Sequence, residues 1–266
     1  MLPFWLSIGV LSLVEAALVA VPRAPVGVPL LTRLRSRWWA LALPLPLALV
    51  VGAIALDSTV ADFLTYLALV AVPPLAALAL GAIVRGARPP LAILALPLFA
   101  AAWIWKDELG GHTAALALSA LACTTLGWLL VSVVPGRWVK VGIYAMAAID
   151  AYLVLSNLLQ EPNATLNAAA PAAGLPKLQL AHFGSALMGF GDLFVAATLG
   201  ALLAYDRRLQ LTGALLAAVV GVSFDLLFFV LDTLPATVPI ALTLALLELT
   251  GRGPRPAGRK PPPPAG

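Results

Sequence analysis

Nine apolar runs divide the chain, and short polar stretches separate them. The runs cover roughly residues 3–21, 38–56, 63–84, 90–105, 113–134, 141–160, 178–204, 209–231 and 235–250. Most of them reach the roughly 17–25 residues that an α-helix needs to cross a bilayer, although the fourth and the ninth are short. The pattern therefore predicts an all-α, polytopic membrane protein with about nine transmembrane helices.

Composition agrees with a membrane location. Of the 266 residues, 62% are hydrophobic and 11% are charged, whereas an average soluble domain has roughly 25% charged residues. The 23 prolines and 21 glycines predict kinked or locally broken helices, which persist at membrane depth only where they face protein or water. The single cysteine, Cys123, excludes a disulfide framework and a cysteine-based zinc site within the chain.

The basic residues predict an orientation. If all nine runs cross the membrane, all of the 16 basic residues except Lys106 and Lys177 fall on one side, and the positive-inside rule makes that side cytoplasmic. The N-terminus is then outside and the C-terminus is inside. The formal net charge of +4 thus lies at segment ends beside the lipid bilayer, and nucleic acid is not an expected partner. We expect the protein in the plasma (cytoplasmic) membrane of a prokaryote.

This pattern divides the chain into three regions. Residues 1–135 contain predicted helices 1–5, and residues 136–250 contain predicted helices 6–9 with the candidate chemistry. The first run begins without Lys or Arg, so it is interpreted as a retained helix rather than a secretory signal. Residues 251–266 are rich in Pro and basic residues, which predicts a disordered cytoplasmic tail near anionic lipid.

Four acidic residues lie within apolar runs, namely Glu15, Asp150, Asp192 and Asp225. A carboxylate at the centre of a bilayer costs ~2.5–3.5 kcal/mol, so by default it contacts protein or water. Asp150 follows Lys140 by ten residues, which places it ~15 Å deep along a helix. Asp192 precedes Asp206 by fourteen residues, ~21 Å along a helix. Asp150 and Asp192 are therefore expected at similar depth, near mid-membrane.

Two carboxyls at one depth in a low dielectric suit aspartyl peptide hydrolysis. Like charges cannot both ionise cheaply there, so the pair shares one proton. The ionised member activates a water, and the protonated member polarises the peptide carbonyl and later protonates the leaving amine. The carboxyls alone favour a proton- or cation-coupled transporter equally. Glu15 and Asp225 are interpreted as polar contacts between helices, with Asp225 kept as an accessory candidate.

The most specific motif surrounds Asp192 and reads Gly189-Phe190-Gly191-Asp192. Because residues 189 and 191 have no side chains, the backbone beside Asp192 is open to close approach by an extended substrate. A four-residue motif of this kind is a weak signal by itself. It resembles the GxGD segment of the presenilin and signal peptide peptidase family of intramembrane aspartyl proteases.

The resemblance extends over about residues 140–250. In that family the other catalytic Asp lies one helix earlier, as Asp150 does here, and a Pro-Ala-Leu motif opens the last helix. This chain has Pro235-Ala236-Thr237 at that place, and Ile149 where the family usually has Tyr before its first Asp. Tyr144 and Tyr152, on either side of Asp150, are accessory candidates.

The resemblance implies a presenilin-like bundle in which Asp150 and Asp192 are catalytic. It also implies a set of substrate-binding residues, namely Gly189, Phe190, Gly191, Pro235, Ala236 and Thr237. The substrates would be transmembrane helices or remnant signal peptides, because the predicted orientation resembles that of signal peptide peptidase. No metal or other cofactor is expected.

Two readings compete with this one. A prepilin-peptidase-like enzyme also uses a GxGD Asp, but the chain lacks paired CxxC motifs and a Lys soon after Asp192. A transporter would use the same intramembrane carboxyls and helix breaks. His112, in a predicted outward loop, is interpreted as a solvated side chain.

Overall fold

The computed structural model describes residues 3–25, 31, 33–57, 59–169 and 174–251. Within these residues the chain is mostly helical, with one short β-hairpin. The helices are α1 (Phe4–Ala20), α2 (Pro44–Leu56), α3 (Thr59–Leu78), α4 (Ala95–Ile104), α5 (Leu109–Val133), α6 (Gly136–Leu155), α7 (Gln160–Ala168), α8 (Phe190–Leu203), α9 (Arg207–Asp225) and α10 (Thr237–Leu249). The strands are β1 (Leu180–Phe183) and β2 (Ala186–Gly189). The predicted tail from residue 252 onward lies outside the described residues.

Short irregular helical turns extend several helices. A 3₁₀ turn at Arg37–Ala42 precedes α2, and another at Pro89–Leu94 precedes α4. A π-helical turn at Ala79–Ile83 continues α3, and a 3₁₀ turn at Leu226–Phe229 continues α9. These departures from regular α-helix agree with the broken helices that the prolines and glycines predict.

Four helical segments in the described part of the chain are long and apolar enough to cross a membrane. They are Thr59–Ile83, Leu109–Val133, Gly136–Leu155 and Arg207–Phe229. Five shorter apolar helices, of 10–17 residues, occupy the positions of the remaining predicted runs. The protein therefore has the helical, apolar architecture of a membrane protein, with four candidate membrane-spanning helices.

The seventh apolar run, residues 178–204, is not one helix as predicted. Its first part forms the β-hairpin, and α8 begins only at Phe190. Gly184, in the connection between the strands, has φ +60°, a left-handed conformation that a glycine adopts without strain. Gly189 follows as the last residue of β2 and has extended backbone. Hydrophobicity alone does not distinguish a buried strand from a buried helix. Glycines at these two positions are the local sequence signal for a turn and for the end of a strand.

The two strands pair antiparallel, and each places alternate residues toward the core. The pairs are Leu180 with Gly189, Ala181 with Met188, His182 with Leu187, and Phe183 with Ala186. Ala181, Phe183, Ala186 and Met188 are buried. The hairpin packs against α1 and α5, so β2 leads directly into α8 from a fixed position.

Helix α8 is the centre of the fold. It packs against α1, α5, α6, α9 and α10, and every residue from Leu193 to Leu203 except Phe194 is buried. Small residues allow this close packing: a Cβ on Gly127 of α5 would lie 2.7 Å from the backbone nitrogen of Thr198. A Cβ on Gly200 would lie 2.5 Å from the carbonyl oxygen of Leu18 in α1. The first turn of α8, where Asp192 lies, is therefore held by helices on several sides.

Three of the loops predicted to be cytoplasmic are joined through Gln210. Gln210 accepts hydrogen bonds from the guanidinium groups of Arg85, at 2.8 Å, and Arg207, at 2.7 Å. The amide of Gln210 donates to the carbonyl oxygen of Pro22, which follows α1, at 2.8 Å. The segments after α1, α3 and α8 thus lie together.

Candidate active site

A cavity of about 460 Å³ lies among α1, α6, α8, α9 and the start of α10, with β2 along one wall. Five acidic residues line it: Glu15, Asp150, Asp192, Asp225 and Asp232. No Lys, Arg or His is among the described residues that line it. The cavity therefore concentrates carboxyl groups inside an otherwise apolar bundle.

Asp150 is held by the start of the last helix. It lies on α6 and is 5% exposed. The hydroxyl of Thr237 donates a hydrogen bond to Oδ2 of Asp150 at 2.7 Å, and the backbone N–H of Thr237 donates to the same oxygen at 3.3 Å. Because Thr237 is the first residue of α10, the partial positive charge of that helix N-terminus also faces the carboxyl.

Asp192 lies in the first turn of α8, as the third residue of that helix. Its Oδ2 accepts a hydrogen bond from the backbone N–H of Gly189 at 2.9 Å. This bond ties the side chain back to the residue that precedes the helix. Both Asp150 and Asp192 are therefore placed at helix N-termini, where N–H groups without partners in the helix are available.

The structure brings Asp150 and Asp192 to the same cavity. The two carboxyls are close enough that a charge on one acts electrostatically on the other. They come from neighbouring elements of the bundle, α6 and α8, which are in contact. The geometry therefore provides a pair of carboxyls in one cavity, where a single shared proton lowers their mutual repulsion.

The two glycines of the motif make room for side chains of the site. A Cβ on Gly189 would lie 3.0 Å from Oδ2 of Asp192, and a Cβ on Gly191 would lie 3.2 Å from the Met146 methyl group. Met146 is one turn before Asp150 on α6. Gly191 thus allows α8 to approach α6, and Gly189 leaves room for the carboxyl of Asp192.

The other predicted substrate-binding residues do not all lie at the cavity. Ala236 lines the cavity together with both glycines, and Thr237 binds Asp150. Phe190 packs against the hydrophobic core. Neither Phe190 nor Pro235 is among the described residues that line the cavity.

The two accessory tyrosines point elsewhere. The hydroxyl of Tyr144 donates to Glu248 at 2.7 Å, and Lys140 pairs with the same carboxylate at 2.7 Å. Tyr152 is 63% exposed. Neither tyrosine is among the described residues that line the cavity, and their sequence proximity to Asp150 follows only from their place on the same helix.

The first helix contributes an acid that was not predicted to belong to the site. Glu15 of α1 lines the cavity, and its Oε1 has no hydrogen-bond partner in the described part of the protein. Asp225 behaves as predicted for a contact between helices, because its Oδ2 accepts a hydrogen bond from Ser12 of α1 at 2.8 Å. The available signal for Glu15 was an acidic residue within the first apolar run.

The outer edge of β2 faces the cavity. Residues Ala186–Gly189 all line it. The N–H of Gly189 points away from β1, because it donates to Asp192. Along a strand, N–H groups two residues apart point to the same edge. The N–H of Leu187 therefore points to this outer edge as well. It lies two residues before Gly189, whose N–H donates to Asp192.

His112 is not the solvated loop residue that the sequence predicted. It lies in the first turn of α5, and its ring centroid is 4.1 Å from that of His182 in β1. Both rings line a second cavity of about 280 Å³, with Lys106 and Lys177. The apolar run was assigned to begin at residue 113, so the predicted helix started too late to include this residue.

No protein-family model matches the chain, no curated protein matches it, and no solved structure matches it at a significant level. The resemblance to the presenilin and signal peptide peptidase family rests on the residues themselves and stays a prediction.

Proposed function

We propose that the protein is an intramembrane aspartyl protease that hydrolyses peptide bonds within transmembrane helices or remnant signal peptides. The observation that carries this proposal is the presence of Asp150 and Asp192 in one cavity. The cavity is about 460 Å³, large enough for water and a segment of peptide backbone. In this proposal all nine apolar helices cross the membrane, with the N-terminus outside.

The two carboxyls divide the chemistry between them. The ionised carboxyl takes a proton from a water as the water attacks the peptide carbonyl, and the protonated carboxyl donates to the carbonyl oxygen. Proton transfer to the leaving amine then completes the cleavage. Thr237 holds only Oδ2 of Asp150, so Oδ1 stays available to carry or accept the proton.

An intact substrate helix cannot react, because its carbonyl groups are engaged in its own hydrogen bonds. The outer edge of β2 offers an alternative partner for an unwound segment. An extended peptide that pairs with Leu187 lies along the wall that ends at Asp192. Addition of a strand to an exposed sheet edge is a common way to hold a peptide.

The short helices of the site support a water-accessible cavity. Helix α8 has 14 residues and α10 has 13, about 20 Å each and less than the roughly 30 Å hydrocarbon core. The hairpin and the segment before α10 then lie at membrane depth. Irregular backbone is tolerated there only where it contacts protein or lines a water-filled space.

One observation favours a second candidate function. Five acidic side chains line the cavity, and no basic side chain among the described residues compensates them. Such a group of carboxyls also suits a proton- or cation-coupled transporter. The two functions differ in their product, which is a cleaved peptide in one case and a transported solute in the other.

The test is cleavage of a signal-peptide-like helix by the protein purified in detergent, with products identified by mass spectrometry. We expect cleavage by the wild type and its loss in Asp150→Asn and Asp192→Asn. Asp57→Asn is the matched control, because Asp57 lies in a loop and caps α3 through the N–H of Thr59 at 2.9 Å, a role that Asn also fills.

Two results would overturn the proposal. Cleavage that persists in both Asp variants removes the carboxyl pair from the mechanism. Proton-coupled uptake into proteoliposomes, abolished by the same two substitutions and accompanied by no cleavage, establishes the transporter instead.

A further inference from the structure

Glu15 is a buried acid with one carboxyl oxygen that has no hydrogen-bond partner in the described part of the protein. It is 3% exposed, and its Oε1 makes no hydrogen bond within the described part of the chain. Most buried polar atoms in proteins are paired, and an exception needs an explanation. Because Glu15 lines the cavity, the partner that it lacks can come from a bound molecule.

A second acid faces the same part of the cavity. Asp225 of α9 lines it too and is held by Ser12, which lies three residues before Glu15 on the same face of α1. Glu15 is within electrostatic reach of Asp225 as well as of Asp150 and Asp192. The α1 and α9 wall therefore adds two carboxyls beside the pair formed by Asp150 and Asp192.

The carboxyls of this wall suit a cationic ligand, because a cation beside a carboxyl favours its ionised form. No Lys, Arg or His is among the described residues that line the cavity, so none of these residues supplies that cation. The described residues contain no group of three or more acidic, His or Cys side chains placed to hold a metal ion. A guanidinium or ammonium group fits separated carboxyls better, since it directs several N–H donors outward from one charge.

We propose that Glu15 and Asp225 form a subsite that binds a basic side chain, Lys or Arg, of the peptide substrate. The inference rests on the proposed protease function, because the peptide bond is then held at Asp150 and Asp192 while a nearby residue enters the subsite. A peptide with a positive charge at the matching position is cleaved in preference to an uncharged one.

The test uses pairs of signal-peptide-like helices that differ at one position, with Lys in one and norleucine in the other. Norleucine keeps the length of the alkyl chain and removes the charge. The Lys position is moved along the peptide, and kcat/KM is measured for both members of each pair. At one position we expect the wild type to prefer Lys by ~10-fold or more, since hydrogen bonds to charged groups are the stronger ones.

Glu15→Gln and Asp225→Asn are expected to lower this ratio of kcat/KM values toward one, mainly through KM. Asp57→Asn is the control, and its ratio is expected to equal that of the wild type. Thermal unfolding in detergent shows which variants are folded, and Asp225→Asn, on the less buried residue, provides a second reading if Glu15→Gln does not fold. A ratio near one in the wild type at every position, or an unchanged ratio in both variants, overturns the subsite.

Binding separates this inference from the proposed function. The affinity of fluorescent Lys and norleucine peptides for the wild type and for Glu15→Gln is measured by anisotropy, which needs no cleavage. If no peptide is cleaved but the Lys peptide binds more tightly through Glu15, the protease proposal fails and the cationic subsite stands. If peptides are cleaved and bind without regard to Lys, the subsite fails and the protease proposal stands.

Discussion

Thr237 shows how one side chain positions a reactive group. It donates both its hydroxyl and its N–H to Asp150. It is fully buried, so water cannot take over the lost hydrogen bond if the hydroxyl is removed. Thr237 is thus a positioning residue for Asp150.

Substitution of Thr237 tests this role in catalysis. Thr237→Val keeps the shape and the backbone N–H but removes the hydroxyl donor, so we expect kcat/KM to fall by ~10-fold or more. Thr237→Ser keeps the donor and is expected to retain most of the activity. Full activity in Thr237→Val, measured on the same peptide, would show that the hydroxyl does not orient Asp150.

The sequence predicts the positions of some site residues but not of others. Counting helical rise placed Asp150 and Asp192 at similar depth, and the structure puts them in one cavity. The hydroxyl of Thr237 and the position of Glu15 were not predictable in this way. Both depend on how α1 and α10 pack against helices distant in sequence, and a hydrophobic pattern carries no such information.

Among the elements, the hairpin before α8 differs most from the sequence prediction. Residues 178–204 look like one membrane helix by hydrophobicity, but β1 and β2 use the first part. The glycines around positions 184 and 189 are the local signal for this break. The consequence for the site is an exposed strand edge beside Asp192.

The outer edge of β2 leads to a prediction about substrate binding. Leu187→Pro removes one N–H from the outer edge of β2, a position where proline leaves the β1 ladder intact. We expect a rise in KM for peptide substrates, by ~5-fold or more for one lost hydrogen bond in the bound complex. Leu187→Ala, which keeps the N–H, is the control for the lost side chain.

If Leu187→Pro and Leu187→Ala have the same KM, then the substrate does not pair with β2. Circular dichroism and thermal unfolding of both variants verify that the fold is retained.

The close packing of α5 against α8 leads to a prediction about stability. Gly127→Ala places a methyl group where it would lie 2.7 Å from the backbone nitrogen of Thr198, so we expect unfolding free energy to fall by ~1–3 kcal/mol. Gly52→Ala is the matched control, since a Cβ on Gly52 meets nothing within 4 Å. There the better helix propensity of Ala is expected to leave stability unchanged or to raise it by up to ~1 kcal/mol.

Thermal unfolding midpoints of the two glycine variants in detergent provide the measurement. Equal midpoints would mean that α5 and α8 adjust their separation without cost, contrary to the tight contact described above.

At the scale of the whole molecule, the sequence predicted the number and the positions of the apolar helices better than their lengths. Four segments reach spanning length, and five apolar helices are shorter. The prolines, glycines and the hairpin shorten them, and the boundaries of such breaks depend on tertiary contacts. The hydrogen bonds of Gln210 bring the segments after α1, α3 and α8 together, and the number of crossings stays a prediction.

Nine crossings and four crossings place residue 161 on different sides of the membrane. With nine, Asp57 and Glu161 are outside, and Arg88 and Arg208 are cytoplasmic. With only the four long segments crossing, no crossing separates Glu161 from Arg208, so the two share a side opposite Asp57. All four residues are exposed, and the chain's single cysteine, Cys123, is buried.

Cysteine labelling distinguishes these two topologies. Single cysteines are introduced at positions 57, 88, 161 and 208 in a Cys123→Ala background, and intact cells are treated with a membrane-impermeant maleimide. We expect labelling at 57 and 161 in intact cells, and at 88 and 208 only after permeabilisation. Labelling of 161 together with 208, and not with 57, would contradict nine crossings. In that case α8 would not cross the membrane, and the helix would no longer place Asp192 at the mid-membrane depth predicted for the carboxyl pair.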